Sequence, residues 1–185
     1  MKNKKIVVNI SIILGICICL VCTVLYINNF NKVSNESSFS DPPKILADIY
    51  QFKDLHEIKS NSDLIAEVEG TDIQETREYK GTDAIITTVK VKEVFKGDKS
   101  IKNVKVIQMK DYDVPPKKGE KLVIFLSKGI DNPDCYSVRG AGQGIYRIIN
   151  SKSNKEVIKS QSMANKSILK ELGEDYENVK KKLSE

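Results

Sequence analysis

Hydrophobic positions change period three times along this chain, and each change marks a different kind of element. Residues 6–27, IVVNISIILGICICLVCTVLYI, are twenty-two positions without a charge. At a rise of ~1.5 Å per residue, a helix of this length crosses the ~30 Å hydrocarbon core of a bilayer. Lys2, Lys4 and Lys5 precede the segment, and only Lys32 follows it closely. That asymmetry predicts a single-pass anchor in the cell membrane, with the N-terminus cytoplasmic and the rest of the chain extracellular. The alternative is a processed signal. A secretory h-region is ~7–15 residues long and ends in small residues, which this longer run and Cys22-Thr23-Val24 do not match. Lipoprotein processing wants a small residue before the acceptor cysteine, but Cys17, Cys19 and Cys22 follow Ile16, Ile18 and Val21. Each alternative leaves the remainder outside.

Residues 28–40, NNFNKVSNESSFS, read as a flexible stalk of up to ~45 Å when extended. Residues 41–185 are then one extracytoplasmic domain. Its first element is a helix over 44–59, capped by Asp41 with Pro42-Pro43 in its first turn, and interrupted near Lys53. Its apolar spacing runs through Ile45, Leu46, Ile49, Phe52, Leu55 and Ile58.

The period then falls to two. Leu64, Ala66 and Val68 alternate with Ile65, Glu67 and Glu69 in a strand ending at Gly70. The polar stretch 71–82 reads as a long loop or an edge excursion. Residues 83–95 form the longest expected strand, with a slip of phase at Glu93-Val94-Phe95 that marks a bulge or bend. Residues 104–109 follow, then a loop over 110–120 containing Pro115-Pro116. The unbroken apolar run 122–126 is a central strand buried on both faces. Residues 135–138 and 144–149 are short strands flanking the glycine segment 139–144, and 156–158 add an edge strand. Near the C-terminus the period lengthens again. Leu169, Leu172, Tyr176, Val179 and Leu183 have helical spacing, broken at Gly173 into two helices or one kinked helix.

Charge changes the picture less than it first promises. The formal net charge is +5, but three of the thirty basic residues precede the membrane segment. Twenty-seven then face twenty-five acidic residues outside, well interspersed, which leaves no electrostatic footprint for nucleic acid. Three of the four cysteines lie in the membrane segment, so the domain has Cys135 alone and no internal disulfide. The Lys-, Asn- and Ile-rich composition without Trp is that of an AT-rich Gram-positive bacterium. In that setting the Asn-x-Ser triplets at Asn35 and Asn165 are chance occurrences.

The segments SDLIAEVEG, ITTVKVKEVFKGD, NVKVIQM, KKGEKLVIFLSK and CYSVRGAGQGIYRI, spanning 62–149, follow one another in a recognisable layout. This resembles a group of extracytoplasmic bacterial domains with the same strand-and-turn motifs. The strand order is similar to that of netrin-like and tissue-inhibitor-of-metalloprotease domains, a variant of the OB-fold. The resemblance implies an α+β domain: a mostly antiparallel OB-like β-barrel with an N-terminal helix and one or two C-terminal helices. The metal-blocking terminal cysteine and bracing disulfides of those inhibitors have no counterpart here, so that mechanism is not implied, and no catalytic residue is.

Candidate chemistry is sparse. His56 is the sole histidine, and one imidazole without a carboxylate or thiolate cluster makes no metal site. Cys135 with His56 would form a nucleophile–base pair if the fold joined them, but Pro133-Asp134-Cys135-Tyr136 matches no cysteine-protease signature. The glycines at 140, 142 and 144 lack the Walker lysine and precede a strand, so they mark a bend and not a phosphate cradle. Lys90, Lys92 and Lys105 offer a face for an anionic polymer, with a solvated strand face as the simpler reading. Tyr136, Arg139 and Gln143 flank the glycine bend and are the candidate ligand-binding residues, with the stretch 70–82 as their neighbour. No catalytic residue, metal or cofactor is assigned. The expectation is a membrane-anchored, non-enzymatic module that binds a protein, a peptide or a cell-envelope component. A hydrolase using Cys135 and an inhibitor- or immunity-like surface protein are the alternatives.

Overall fold

The computed structural model describes residues 50–79, 81–110, 114–160 and 165–185. The expected membrane segment and stalk lie outside these residues, as does 44–49 of the expected first helix. Among the described residues no helix is long and apolar enough to cross a membrane.

Among the described residues the fold is α+β, a mostly antiparallel seven-stranded sheet with three short helices. In chain order these are α1 (Leu55–Ser60), β1 (Leu64–Tyr79), β2 (Thr82–Lys96), β3 (Asn103–Met109), β4 (Lys121–Lys128), β5 (Tyr136–Val138), β6 (Ile145–Asn150), β7 (Glu156–Ser160), α2 (Lys166–Leu172) and α3 (Tyr176–Ser184). The strands pair in the order β1-β2-β3-β5-β4-β6-β7, and β1 pairs with β4 as well. The ladder that leaves β1 through β2 therefore returns to it through β4. Only β3 and β5 run parallel, meeting at Val106↔Tyr136 and Ile107↔Ser137.

Two expectations are corrected. Of the described part of the expected first helix, only Leu55–Ser60 is helical; residues 50–53, at the expected interruption, are not. Asp54 caps the helix by accepting from Glu57 N at 2.7 Å, while Glu57 reaches back to accept from Lys53 N at 2.6 Å. Those two bonds satisfy free amides at the start of the helix and stop it extending further upstream. The stretch 71–82 is strand for most of its length, which makes β1 the longest. Gln74–Tyr79 pairs with Thr87–Thr82 in a hairpin, and only 71–73 leave the ladder. Side chains of this arm are exposed or half-buried. Backbone pairing, with Arg77 and Tyr79 reaching the turn before β5, holds the arm in the absence of an apolar face.

The slip of phase near residue 94 is a pair of bulges. Ile65 pairs with Lys96 and Ala66 with Val94, so Phe95 is extra; Glu67 pairs with Glu93 and Val68 with Val91, so Lys92 is extra. Farther along β1, Gly70 lets the 117–120 turn cross the strand. Its amide donates to Glu120 O, and its carbonyl accepts from Gly119 N, both at 2.9 Å. A Cβ here would lie 2.1 Å from Lys117 O.

Alternation in the strands builds two cores. Leu122, Ile124 and Leu126 of β4 join Leu64, Ala66, Val68, Val89, Val104 and Val106 inside the returning ladder. Val123 and Phe125 point the other way and pack with Ile65, Tyr146, Ile148 and the apolar faces of all three helices. Every residue from Leu122 to Leu126 is buried, as its unbroken apolar run requires. Gly173, at φ +77°, ends α2, and Asp175 caps α3 by accepting from Asn178 N. The helix C-termini are tied by lysines from other elements. Lys96 donates to Lys59 O, Lys59 to Lys182 O, and Lys182 to Leu172 O at 2.6, 2.7 and 3.1 Å. Each ammonium sits where the helix dipole is negative.

Candidate functional site

β5 and β6 lie on the same side of β4, interrupted by the glycine segment. The chain leaves the ladder at Arg139, whose amide donates to Phe125 O at 2.9 Å. It rejoins at Gly144, whose carbonyl accepts from Phe125 N at 2.8 Å, and Gly144 N closes the excursion on Arg139 O at 3.1 Å. Gly140, Ala141 and Gly142 turn the excursion with φ of +62°, +45° and +97°. This is the tight bend expected between strands, and it presents no helix N-terminus to a phosphate.

Gln143 is buried at 1% exposure, and its side chain is fully used within the protein. Its Oε1 accepts from Phe52 N at 3.2 Å and Asn165 Nδ2 at 3.0 Å. Its Nε2 donates to Tyr50 O at 2.7 Å and Gly140 O at 3.1 Å. An amide has two acceptor sites and two donors, so nothing remains for a ligand. Gln143 instead joins the bend, the chain before α1 and the cap of α2. Asn165 completes this junction: its Nδ2 also donates to Phe52 O, and its Oδ1 caps α2 through Ser167 N at 3.0 Å. Tyr136 is half-buried and packs against the inner core.

Arg139 alone of the three candidates lines a groove. Its guanidinium lies over the Phe52 ring, 5.7 Å from the centroid, and donates to Ser127 Oγ at 3.1 Å. Ser127 and Ser137 hydroxyls are 3.3 Å apart. Together they line one wall of a groove of about 770 Å³. The groove opens where parallel β3 and β5 separate beyond Ile107 and Ser137. Gln108 lies on the β3 side, and the turn carrying Ile130 and Asn132 overhangs the mouth. Gln108 is 4% exposed; its Nε2 donates to Val114 O at 3.3 Å, and its Oε1 is enclosed without a donor. This residue had a legible signal. It shares the buried phase of Val104 and Val106 in β3, a polar side chain on an apolar face.

The remaining candidates are dispersed. His56 is exposed on α1, and its imidazole has no hydrogen-bond partner among the described residues. Cys135 is fully buried, and burial pushes its thiol up from the usual range, which disfavours the thiolate a nucleophile needs. No hydrogen bond links the two. Lys92 pairs with Glu69 at 2.6 Å, and Lys105 pairs with Glu75 at 3.3 Å, so two of the three lysines already have counter-ions. Arg77 binds Asp134 through paired contacts at 3.1 and 3.2 Å, holding that carboxyl down to about 2. Among the described residues, no three His, Cys, Asp or Glu side chains converge as a metal site. No family model, curated protein or solved structure matches the chain.

Proposed function

We propose that this is a single-pass membrane protein displaying residues 41–185 outside the cell as an OB-like barrel that binds a protein, peptide or envelope component. The uncharged segment 6–27 with its preceding lysines supports the anchor and its direction. The ladder that leaves β1 and returns to it supports the barrel and the likeness to netrin-like domains. OB-type barrels bind ligands across strands two and three and the loops after strands one and four. The groove has matching walls: Tyr79 at the end of β1, residues 107–109 of β3 and residues 128–132 after β4.

The observation that carries the reading is that groove, with Arg139 on its wall lacking a counter-ion among the described residues. The test is a photoreactive side chain at Ile130, which is 97% exposed at the mouth, in the full-length chain on intact cells. The expected result is a discrete adduct that Arg139→Ala removes. An adduct pattern identical in the variant, or none at all, overturns the reading. Protease added to whole cells tests the topology, and digestion of the C-terminal domain only after lysis would refute it.

A further inference from the structure

We infer, building on the binding-groove reading, that the groove receives a peptide through a carboxylate, with Arg139 as the anchor. The chain has three arginines. Arg77 pairs with Asp134 and Glu75, and Arg147 pairs with Glu120 at 2.5 Å. Arg139 has no such partner among the described residues. Its one hydrogen bond goes to a neutral serine, and its Nε is enclosed without an acceptor. Phe52 and Ser127 orient the guanidinium without neutralising it. A fixed planar fork of donors at an opening is suited to a bidentate oxyanion.

The charge around it selects the kind of anion. Lys128 adds a second cation to the groove wall, while Asp63 and Asp131 add two carboxylates. Asp63 accepts from Lys128 N, and Asp131 accepts from Tyr79 Oη. Neither carboxylate pairs with Arg139, so its charge stays locally unbalanced although the two cations and two carboxylates of the wall sum to zero. A monoanion is matched by Arg139; a phosphate dianion would meet two carboxylates as well.

The remaining lining points to a peptide. Gln108, on the β3 wall, has an amide oxygen with no donor among the described residues. Ile107, Val138 and Ile130 offer apolar contact beside the polar atoms. The cleft follows two diverging strands, a shape that admits an extended backbone. The carboxylate has two sources, the peptide C-terminus or an Asp or Glu side chain.

The experiment uses the full-length chain in nanodiscs of neutral phosphatidylcholine and three pools of acetylated random pentapeptides. One pool has free C-terminal carboxylates and no acidic residues, one is the same but amidated, and one is amidated with a single fixed glutamate. Retained peptide is measured by mass spectrometry. Retention of the first or third pool about tenfold above the second is expected, the factor for one charged hydrogen-bond pair. Whichever of the two is retained identifies the source. Arg139→Gln should remove the difference and Arg139→Lys should keep part of it. Matching thermal unfolding of the variants separates loss of binding from loss of fold. Equal retention of all three pools, or a difference that survives Arg139→Gln, overturns the inference. If adducts at Ile130 still depend on Arg139 while the pools behave alike, the groove reading stands and only the carboxylate falls.

Discussion

Tyr176 donates its hydroxyl to Glu67 Oε2 at 2.6 Å, joining the last helix to the first strand across 109 residues of sequence. Burial, followed by this hydrogen bond to a carboxylate, pushes the phenol well above its usual range. Tyr146, whose buried hydroxyl has no hydrogen-bond partner among the described residues, moves the same way through desolvation. For both groups the folded protein holds its proton more tightly than the unfolded chain does. Their contribution to stability is complete below pH ~10 and declines as pH rises beyond it. Alkaline titration followed at the tyrosinate band should show two of the seven tyrosines ionising only with unfolding. Tyr176→Phe should reduce the alkaline loss and cost about 1–2 kcal/mol at neutral pH, read from chemical denaturation.

The acid limb rests on a different pair. Arg77 holds Asp134 down to about 2, below the unfolded value of 3.8. Stability from this pair is present above pH ~4 and is lost as pH falls toward 2. Asp134→Asn should flatten the stability profile over that interval and leave the profile above pH 5 parallel to the parent's. A variant with the same acid slope as the parent would show that the pair contributes nothing.

Gln143→Ala should destabilise the domain by about 2–3 kcal/mol, since it strands buried amide and carbonyl groups on three separate segments. Gln143→Glu should recover little. A carboxylate keeps the two acceptor positions facing Phe52 N and Asn165 Nδ2 but faces Tyr50 O and Gly140 O with no donor. Thermal unfolding of the two variants measures both effects.

Two glycine substitutions should differ sharply. At Gly81 a Cβ meets open space, and the cost of Gly81→Ala is the positive φ alone, about 1 kcal/mol. At Gly70 the added carbon would lie 2.1 Å from a backbone oxygen. Gly70→Ala must displace the 117–120 turn and break its two hydrogen bonds to β1, and should cost more than 3 kcal/mol. Comparable unfolding midpoints for the two variants would contradict that crossing.

Much of the sheet was legible because burial writes a period of two. The run at 122–126 announced a strand covered on both faces, the slip near Val94 announced its bulges, and Gly173 announced the break between the last helices. The helical stripe through Tyr176, Val179 and Leu183 became core packing, as its spacing required. The arm at Gln74–Tyr79 was not legible, because neither face is fully buried and pairing with β2 requires no apolar alternation. Phe52 fits the helical spacing of the first element but is buried for another reason: it packs beneath Arg139 and is held through its backbone by Gln143. Those partners lie 91 residues apart in sequence, beyond the reach of any local pattern. The burial of Gln143 beside the glycine bend is hidden from the sequence for the same reason. Of the three site candidates only Arg139 lines the groove, and its lack of a counter-ion becomes visible only once the described carboxylates have been placed.

Phe52 also fixes how force enters the domain. Its amide and carbonyl are gripped by Gln143 and Asn165, while its ring supports the Arg139 guanidinium. A pull applied at Tyr50 reaches these bonds before it loads the helices. Tension strong enough to draw Phe52 out would take away the platform beneath the arginine, so mechanical release of this tether and collapse of the groove wall are one event.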